Sequence, residues 1–203
     1  MKEKQSTTYK IVLVALMAAV VCVLGPLSIT LPFTPVPISL AVLGILFAVY
    51  IIGWKLGTLC TVVYLLIGLA GLPVFSKGNA GPGALLGPTG GYLIGFIFMA
   101  AVAGIITELT DYKLLFSALG LWVGVVIDYL FGTVWFSFQQ HMSFMKAFTL
   151  CVVPFVIGDI LKIVLVLIVG PILRKRLLQA NLLPTPNKKQ PNIGCFFVAK
   201  MLR

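Results

Sequence analysis

Six long apolar runs follow one another along this chain of 203 residues, separated by short segments that are polar or contain proline or glycine. The runs cover about residues 11–31, 38–53, 56–71, 90–107, 114–136 and 147–173. A helix needs roughly 17 to 25 apolar residues to cross a bilayer, so most of the runs are long enough, and the second and third are slightly short. A mean hydropathy of +1.12 is far outside the range of water-soluble domains. The pattern predicts an all-α integral membrane protein with six transmembrane helices.

The positive residues are distributed unevenly between the ends of these runs. Loops rich in Lys and Arg remain in the cytoplasm during membrane insertion. With a cytoplasmic N-terminus, the outer loops contain only Lys77 and Lys146 of the 15 Lys and Arg residues, and Lys162 lies within the sixth run. We therefore expect both termini in the cytoplasm. This topology also accounts for the net charge of +10 without a nucleic-acid partner.

The segment 71–95, between the third and fourth runs, contains eight glycines and three prolines. Glycine permits backbone conformations and close approaches that other residues do not. A connection of this length in a chain of otherwise short joints usually has a function. The topology places this segment on the outer face, where we expect a binding loop. A flexible spacer is the alternative.

Three charged residues lie inside the apolar runs: Asp128 in the fifth, and Asp159 and Lys162 in the sixth. Each costs roughly 2.5 to 3.5 kcal/mol at the centre of a membrane helix, so we expect pairing or a polar cavity. Asp159 and Lys162 are three residues apart and share a helix face. Asp159 lies about twelve residues into a span entered near Ala147, and Asp128 about eight residues before the outer end of the fifth span, so we expect both carboxylates roughly 12 to 18 Å below the outer surface. We expect a site at Asp159 and Lys162 rather than a structural ion pair, and expect Asp128 to balance Lys162.

Nucleotide and metal chemistry lack support in the sequence. A nucleotide-binding loop reads GxxxxGK[ST], whereas Gly78-Asn-Ala-Gly-Pro-Gly83 continues with Ala84-Leu85. The single histidine, His141, has no neighbouring cysteine or paired carboxylates. We therefore expect no cofactor, no metal and no enzymatic activity.

The first run carries two small residues four positions apart, Ala15 and Ala19. Such a face lets another helix approach closely. The neighbour is either a partner protein or another span of this chain. The proline-rich segment 32–37 cannot continue a helix, and it can line the mouth of a site.

Three motifs occur in order along the chain: Gly71-Leu-Pro-Val-Phe75 followed by Gly78-Asn79, then Gly87-Pro-Thr-Gly-Gly-Tyr-Leu93, then Gly158-Asp-Ile-Leu-Lys162. Together they closely resemble the BioY family, the biotin-binding S-components of energy-coupling factor (ECF) transporters. The resemblance implies a six-span, S-component-like membrane domain over residues 1–175. It leaves residues 176–203 as a basic cytoplasmic tail of unknown role.

The resemblance implies high-affinity capture of biotin and its uptake across the bacterial cell membrane. ECF transporters supply the energy through a coupling membrane subunit and two ATPase subunits. Ala15 and Ala19 match the small-residue face with which S-components dock on the coupling subunit. The alternatives are an S-component for another vitamin, an intramembrane enzyme that uses Asp128 and Asp159, or a solute channel.

Biotin offers two ureido N–H donors, a ureido carbonyl, an apolar thioether ring and a carboxylate. Asp159 is expected to accept the ureido N–H groups, and Lys162 to donate to the ureido oxygen or pair with the carboxylate. The Asn79 amide can do either from above. Aromatic rings are expected to cover the apolar bicycle, and glycines to let the backbone approach it. The expected substrate-binding residues are Asn79, Asp159, Lys162, Tyr92, Gly78 and Gly91, with Phe75 and Trp135 as further candidates for the apolar wall.

Overall fold

The computed structural model describes residues 7–30, 36–180 and 182–183. Within these ranges the protein consists of helices and one pair of two-residue strands. The helices are α1 Thr7–Leu24, α2 Ala41–Ile52, α3 Trp54–Leu69, α4 Pro82–Leu86, α5 Gly90–Leu109, α6 Leu114–Gln139, α7 Phe144–Cys151 and α8 Val153–Gln179. The strands are β1 Ser28–Ile29 and β2 Ile38–Ser39, and a 3-10 turn covers Ser76–Gly78.

The helical membrane architecture is confirmed, whereas the number of crossings stays a prediction. Among the described residues, four helices (α1, α5, α6 and α8) are long and apolar enough to cross a membrane. The helices α2 and α3 have 12 and 16 residues. At about 1.5 Å per residue, α2 is about 18 Å long, short of the hydrocarbon core of a bilayer. Gly53, with φ of 83°, separates these two helices.

The sixth apolar run is divided between two helices, a break that the sequence interpretation missed. α7 ends at Cys151 and α8 begins at Val153 with Pro154 in its first turn. Proline has no N–H to donate to the preceding turn, so it begins a helix more readily than it continues one. Asp159 therefore lies six residues into α8, or about 9 Å along it. α8 continues to Gln179, beyond the predicted domain boundary at 175/176. The tail from residue 184 lies outside the described residues.

Glycines let α5 and α6 pack closely. A Cβ atom added at Gly95 would lie 2.4 Å from Asp128 Oδ1, and one added at Gly132 would lie 2.2 Å from Tyr92 Cε1. Real Cβ atoms do not approach other atoms so closely, so the interface requires residues without side chains there. This packing fixes the positions of Tyr92 and Asp128, which both face the cavity described below.

The strand pair is a second feature that the apolar pattern did not predict. β1 and β2 are antiparallel, with Ser28 opposite Ser39. The Ser39 hydroxyl donates to Gly25 O at 3.1 Å and accepts from Ala41 N at 3.0 Å. The strands thus hold Ser39 at the start of α2, with its backbone carbonyl directed at α8.

A cation–aromatic contact anchors the other end of α8. The Arg174 guanidinium lies 3.7 Å from the centroid of the Tyr112 ring. It also donates to Tyr50 O at 3.3 Å and to Ile51 O, carbonyls in the last turn of α2, where a positive charge is favoured. Burial raises the pKa of Tyr112 to about 12. This contact fixes α8 against the end of α2 that lies away from the glycine-rich segment.

Candidate binding site

A cavity of about 370 Å³ lies beneath the segment 75–89, between α5, α6 and α8. Its volume falls in the range of roughly 300 to 1,000 Å³ that is typical of small-molecule sites. The cavity is lined by Val36, Pro37, Ile38, Ser39, Val42, Phe75, Ser76, Lys77, Asn79, Ala80, Gly83, Ala84, Gly87, Pro88, Thr89, Tyr92, Leu93, Phe96, Asp128, Tyr129, Phe155, Asp159 and Lys162. The glycine-rich segment and the charged membrane residues therefore meet at one place.

The floor of the cavity contains a buried ion pair. Lys162 Nζ lies 2.7 Å from Asp159 Oδ1. The same ammonium donates to the backbone carbonyl of Ser39 at 2.8 Å, and the Tyr129 hydroxyl donates to Asp159 Oδ2. Asp159 and Lys162 are only 4% and 6% exposed. The expectation that they share a helix face is confirmed, and each has a second partner on another element.

The ion pair retains capacity for a ligand. An ammonium has three N–H donors, and Lys162 uses two of them on Asp159 and Ser39. Each oxygen of a carboxylate can accept more than one hydrogen bond, and each oxygen of Asp159 accepts one. A buried ion pair is stable only when its geometry is good and its remaining groups are satisfied. This floor can therefore both donate to and accept from a bound molecule.

Asp128 faces the same cavity without forming an ion pair with Lys162. It is 3% exposed, and its Oδ1 atom has no hydrogen-bond partner among the described residues. The expected ion pair between Asp128 and Lys162 does not form, and the ammonium pairs with Asp159 on the same helix instead. The Asp128 carboxyl lies instead over Gly95 of α5.

The segment over the cavity presents Asn79 at its exposed mouth. Asn79 O accepts a hydrogen bond from Phe75 N at 3.1 Å, which closes a tight turn. Lys77 N donates to Ser28 Oγ at 3.1 Å and ties this turn to β1. Gly78, with φ of 72°, makes the turn possible but does not line the cavity.

Of the aromatic residues that we expected at the site, two line the cavity and one does not. Tyr92 and Phe75 line it and are 8% and 2% exposed. Trp135 does not line it; its indole N–H donates to Gly87 O at 2.9 Å and holds the segment to α6. Gly91 also lies outside the lining, where a Cβ atom would be 2.2 Å from Trp135 Cβ. The close approach at Gly91 is thus between helices.

Sequence reasoning missed several lining residues, of which Ser39 and Tyr129 matter most. Tyr129 directly follows Asp128, and a tyrosine hydroxyl in an apolar run needs a partner, so this signal was available. Ser39 contacts Lys162 from 123 positions away in the sequence. No local pattern indicates such a contact. Val36 and Pro37, at the end of the proline-rich segment, do line the cavity, and residues 31–35 lie outside the described ranges.

The small-residue face of α1 lies away from the cavity. Ala15 and Ala19 are exposed, whereas Ala18, on the adjacent side of the helix, is 1% exposed and packs in the core. Within the part of the chain that the structure describes, this face is therefore open rather than filled by another span.

Comparisons with known proteins agree with this architecture. The profile of the BioY family matches residues 1–179. The biotin transporter BioY of Thermotoga maritima is 38% identical over 72% of this chain and 86% of its own length. The biotin transporter BioY2 of Lactococcus lactis subsp. cremoris is 33% identical over 85% of this chain and 94% of its own length.

A solved structure shares the fold. The crystal structure of the S-component for biotin from an ECF-type ABC transporter superposes with a TM-score of 0.77 and is 30% identical in sequence. The match covers 86% of this chain and 95% of that structure. Because the family profile covers the whole helical region described above, the chain belongs to the BioY family.

Proposed function

We propose that this chain is the substrate-binding subunit of an ECF-type transporter and captures biotin in the cavity above Asp159 and Lys162. The observation that carries the proposal is the buried ion pair on the floor of a small-molecule cavity, with donor and acceptor capacity still free. A pair so costly to bury is best explained when a ligand uses it. Its family membership supports biotin as that ligand, since relatives named as biotin transporters span most of the chain.

The polar groups of biotin match those of the cavity. Asp159 accepts the ureido N–H groups, and the remaining donor of Lys162 bonds the ureido oxygen or the carboxylate. Asn79 lies at the opposite, exposed side of the cavity, where its amide can bind the other end of the molecule. The two ends of the cavity thus suit a ligand with polar groups at both ends.

The apolar middle of the cavity suits the bicycle of biotin. Tyr92 and Phe96 from α5, Phe75 from the overlying segment and Phe155 from α8 all line it. Aromatic side chains provide large apolar surfaces with few rotatable bonds. We assign Tyr92 as a ligand contact, while Gly78 and Gly91 act indirectly, by shaping the turn and the α5–α6 contact.

The membrane topology gives the direction of transport, and the exposed face of α1 gives the docking surface. Both termini lie in the cytoplasm and the segment 71–95 faces outward, so biotin enters from outside. A coupling membrane subunit docks on the exposed face at Ala15 and Ala19, and two ATPase subunits provide the energy. The lipid bilayer covers the remaining apolar surface of the helices.

Isothermal calorimetry of the purified protein in detergent tests the ligand. We expect biotin to bind and riboflavin and thiamine not to bind. Asp159→Asn preserves the shape of the side chain but removes a charge-assisted hydrogen bond of about 1.5 to 3 kcal/mol, so affinity for biotin falls about tenfold or more. Asp111→Asn, in the exposed turn between α5 and α6, is the matched control and leaves affinity unchanged.

Two results contradict the proposal. A folded protein that does not bind biotin but binds another vitamin belongs to a transporter of different specificity. An Asp159→Asn protein with the dissociation constant of the parent means that the ion pair is structural.

A further inference from the structure

Asp128 is a buried polar side chain of the cavity to which the proposed binding mode assigns no role. It lines the cavity at 3% exposure, and Oδ1 has no hydrogen-bond partner in residues 7–30, 36–180 and 182–183. Its neighbours on the floor, Asp159 and Lys162, both have partners. An unpartnered carboxyl group at a membrane-embedded cavity requires an explanation, because a polar group buried without a hydrogen bond costs free energy.

The position of this carboxyl group is tightly determined by packing. Its Oδ1 atom occupies the space where a side chain at position 95 would begin, 2.4 Å from an added Cβ atom. Asp128 Cα lies 3.3 Å from the same point, so Gly95 is needed for the backbone of α6 as well. The carboxyl group is therefore held at the cavity by the contact between α5 and α6.

The charges around Asp128 determine whether its carboxyl group is ionised or neutral. The titratable groups that interact with it are Tyr92 on α5, its neighbour Tyr129 on α6, and Asp159 and Lys162 on α8. Lys77, in the overlying segment, also lines the cavity but is exposed to solvent. Asp159 already offsets the charge of Lys162 at 2.7 Å.

An ionised Asp128 would thus be a second buried negative charge beside one cation. Burying an uncompensated ion costs several kcal/mol, and the carboxylate of biotin would add a third negative charge to the same cavity. A neutral carboxylic acid avoids this cost and supplies one O–H donor. Biotin offers acceptor oxygens for that donor at both of its ends, in the ureido carbonyl and in the carboxylate.

We propose that Asp128 is a further substrate-binding residue, which acts as a protonated carboxylic acid and donates its O–H to an acceptor oxygen of biotin. This inference rests on the proposed function and adds a residue to the binding site. The proton stays on Asp128 and is not transferred. Binding requires the protonated form, so affinity is full at pH values where the acid is neutral and falls as rising pH ionises it.

Calorimetry between about pH 6 and pH 10 tests this dependence. The carboxylate of biotin stays ionised over that range, since unperturbed carboxyl groups titrate near pH 4. For the parent protein we expect the dissociation constant to rise up to about tenfold per pH unit once Asp128 ionises, with uptake of up to one proton per biotin bound. Titrations in buffers of different ionisation enthalpy count that proton.

Two variants at position 128 separate the contribution of the ionisable proton from that of the shape of the side chain. Asp128→Asn keeps a donor that does not ionise, so we expect affinity within about threefold of the parent at pH 7 and no proton uptake. Asp128→Leu has no donor and is expected to bind about tenfold or more weakly. Every other titratable group is the same in the parent and in Asp128→Asn, so the difference between the two pH profiles reports Asp128 alone. Asp111→Asn is again the neutral control.

Each remaining outcome overturns the inference. If Asp128→Asn weakens binding as much as Asp128→Leu, the group acts as an ionised acceptor. If Asp128→Leu binds like the parent, Asp128 does not contact the ligand. A pH dependence of the parent that Asp128→Asn reproduces means that the proton of Asp128 is not required, and this comparison decides even if Asp128→Leu does not fold. A parent protein that does not bind biotin at pH 7 overturns the proposed function as well, which distinguishes the two failures.

Discussion

The helices α1 and α5 carry the same kind of motif with opposite outcomes. Ala15 and Ala19 on α1, and Gly91 and Gly95 on α5, are pairs of small residues four positions apart in apolar helices. On α5 the face is filled by α6, whereas on α1 both alanines are exposed. A small-residue pair therefore predicts that a helix can approach, but not which helix does so.

The two faces also differ in their small residue, which is glycine on α5 and alanine on α1. At Gly91 a Cβ atom would be 2.2 Å from Trp135 Cβ, so the α5–α6 contact excludes even a methyl group. Alanines on α1 leave a methyl-lined surface that a partner can cover at a slightly larger distance. We infer that the α5 face builds the binding site and that the α1 face remains free for assembly.

Gly95→Leu is expected to have the largest effect on the isolated protein. Its Cβ atom alone would be 2.4 Å from Asp128 Oδ1 and 3.2 Å from Phe131 Cβ, so the helices must separate. Overpacking of this kind costs about 1 to 3 kcal/mol or more, and biotin binding weakens about tenfold or more because the cavity wall at Asp128 is displaced. Thermal unfolding in detergent measures the first effect and calorimetry the second. Ala19→Leu adds a similar side chain on the open face and should change neither; equal stability of the two variants would remove the contrast.

Gly91→Ala is expected to have an intermediate effect. One methyl group meets Trp135 Cβ and, at 2.7 Å, the Phe131 carbonyl. We expect a loss of about 1 kcal/mol or more in the free energy of unfolding, since neither neighbour is the end of a flexible chain. The control is Gly158→Ala, where the nearest described atom is 3.8 Å away and alanine favours the helix. Chemical denaturation of both proteins makes the comparison; a Gly91→Ala protein as stable as the control would mean that α5 and α6 pack less closely.

The double variant Ala15→Trp and Ala19→Trp is expected to have the smallest effect on the isolated protein and a complete effect on transport. Both side chains extend from an exposed face, so the unfolding temperature and biotin affinity stay near those of the parent. Uptake into cells and co-purification with the coupling subunit are lost, because a bulky residue blocks close helix approach. Binding and co-purification are measured on one preparation. Normal uptake would place the docking face elsewhere, and misfolding would show that the alanines pack inside the protein.

Much of the site could be predicted because its chemistry is local in sequence. Asp159 and Lys162 are three residues apart in a helix, so their pairing follows from helical geometry. The cost of charges in a membrane then indicates that they need a purpose. The same reasoning assigned Asp128 to Lys162 and was wrong, because it could not weigh two competing carboxylates without their positions. A partner on the same helix needs no particular interhelical geometry and occupied the ammonium.

The sequence alone determined that the protein lies in a membrane, that it is helical and which charged residues its spans contain. Hydropathy and periodicity are properties of individual segments, so no tertiary information is needed to read them. Only the tertiary structure decided that Ser39 and Tyr129 complete the ion pair, and that Asp128 is left unpartnered. It also decided that one small-residue face is filled while another remains open. These outcomes depend on how helices pack across long sequence separations, and packing selects among faces that look equally apolar in the sequence.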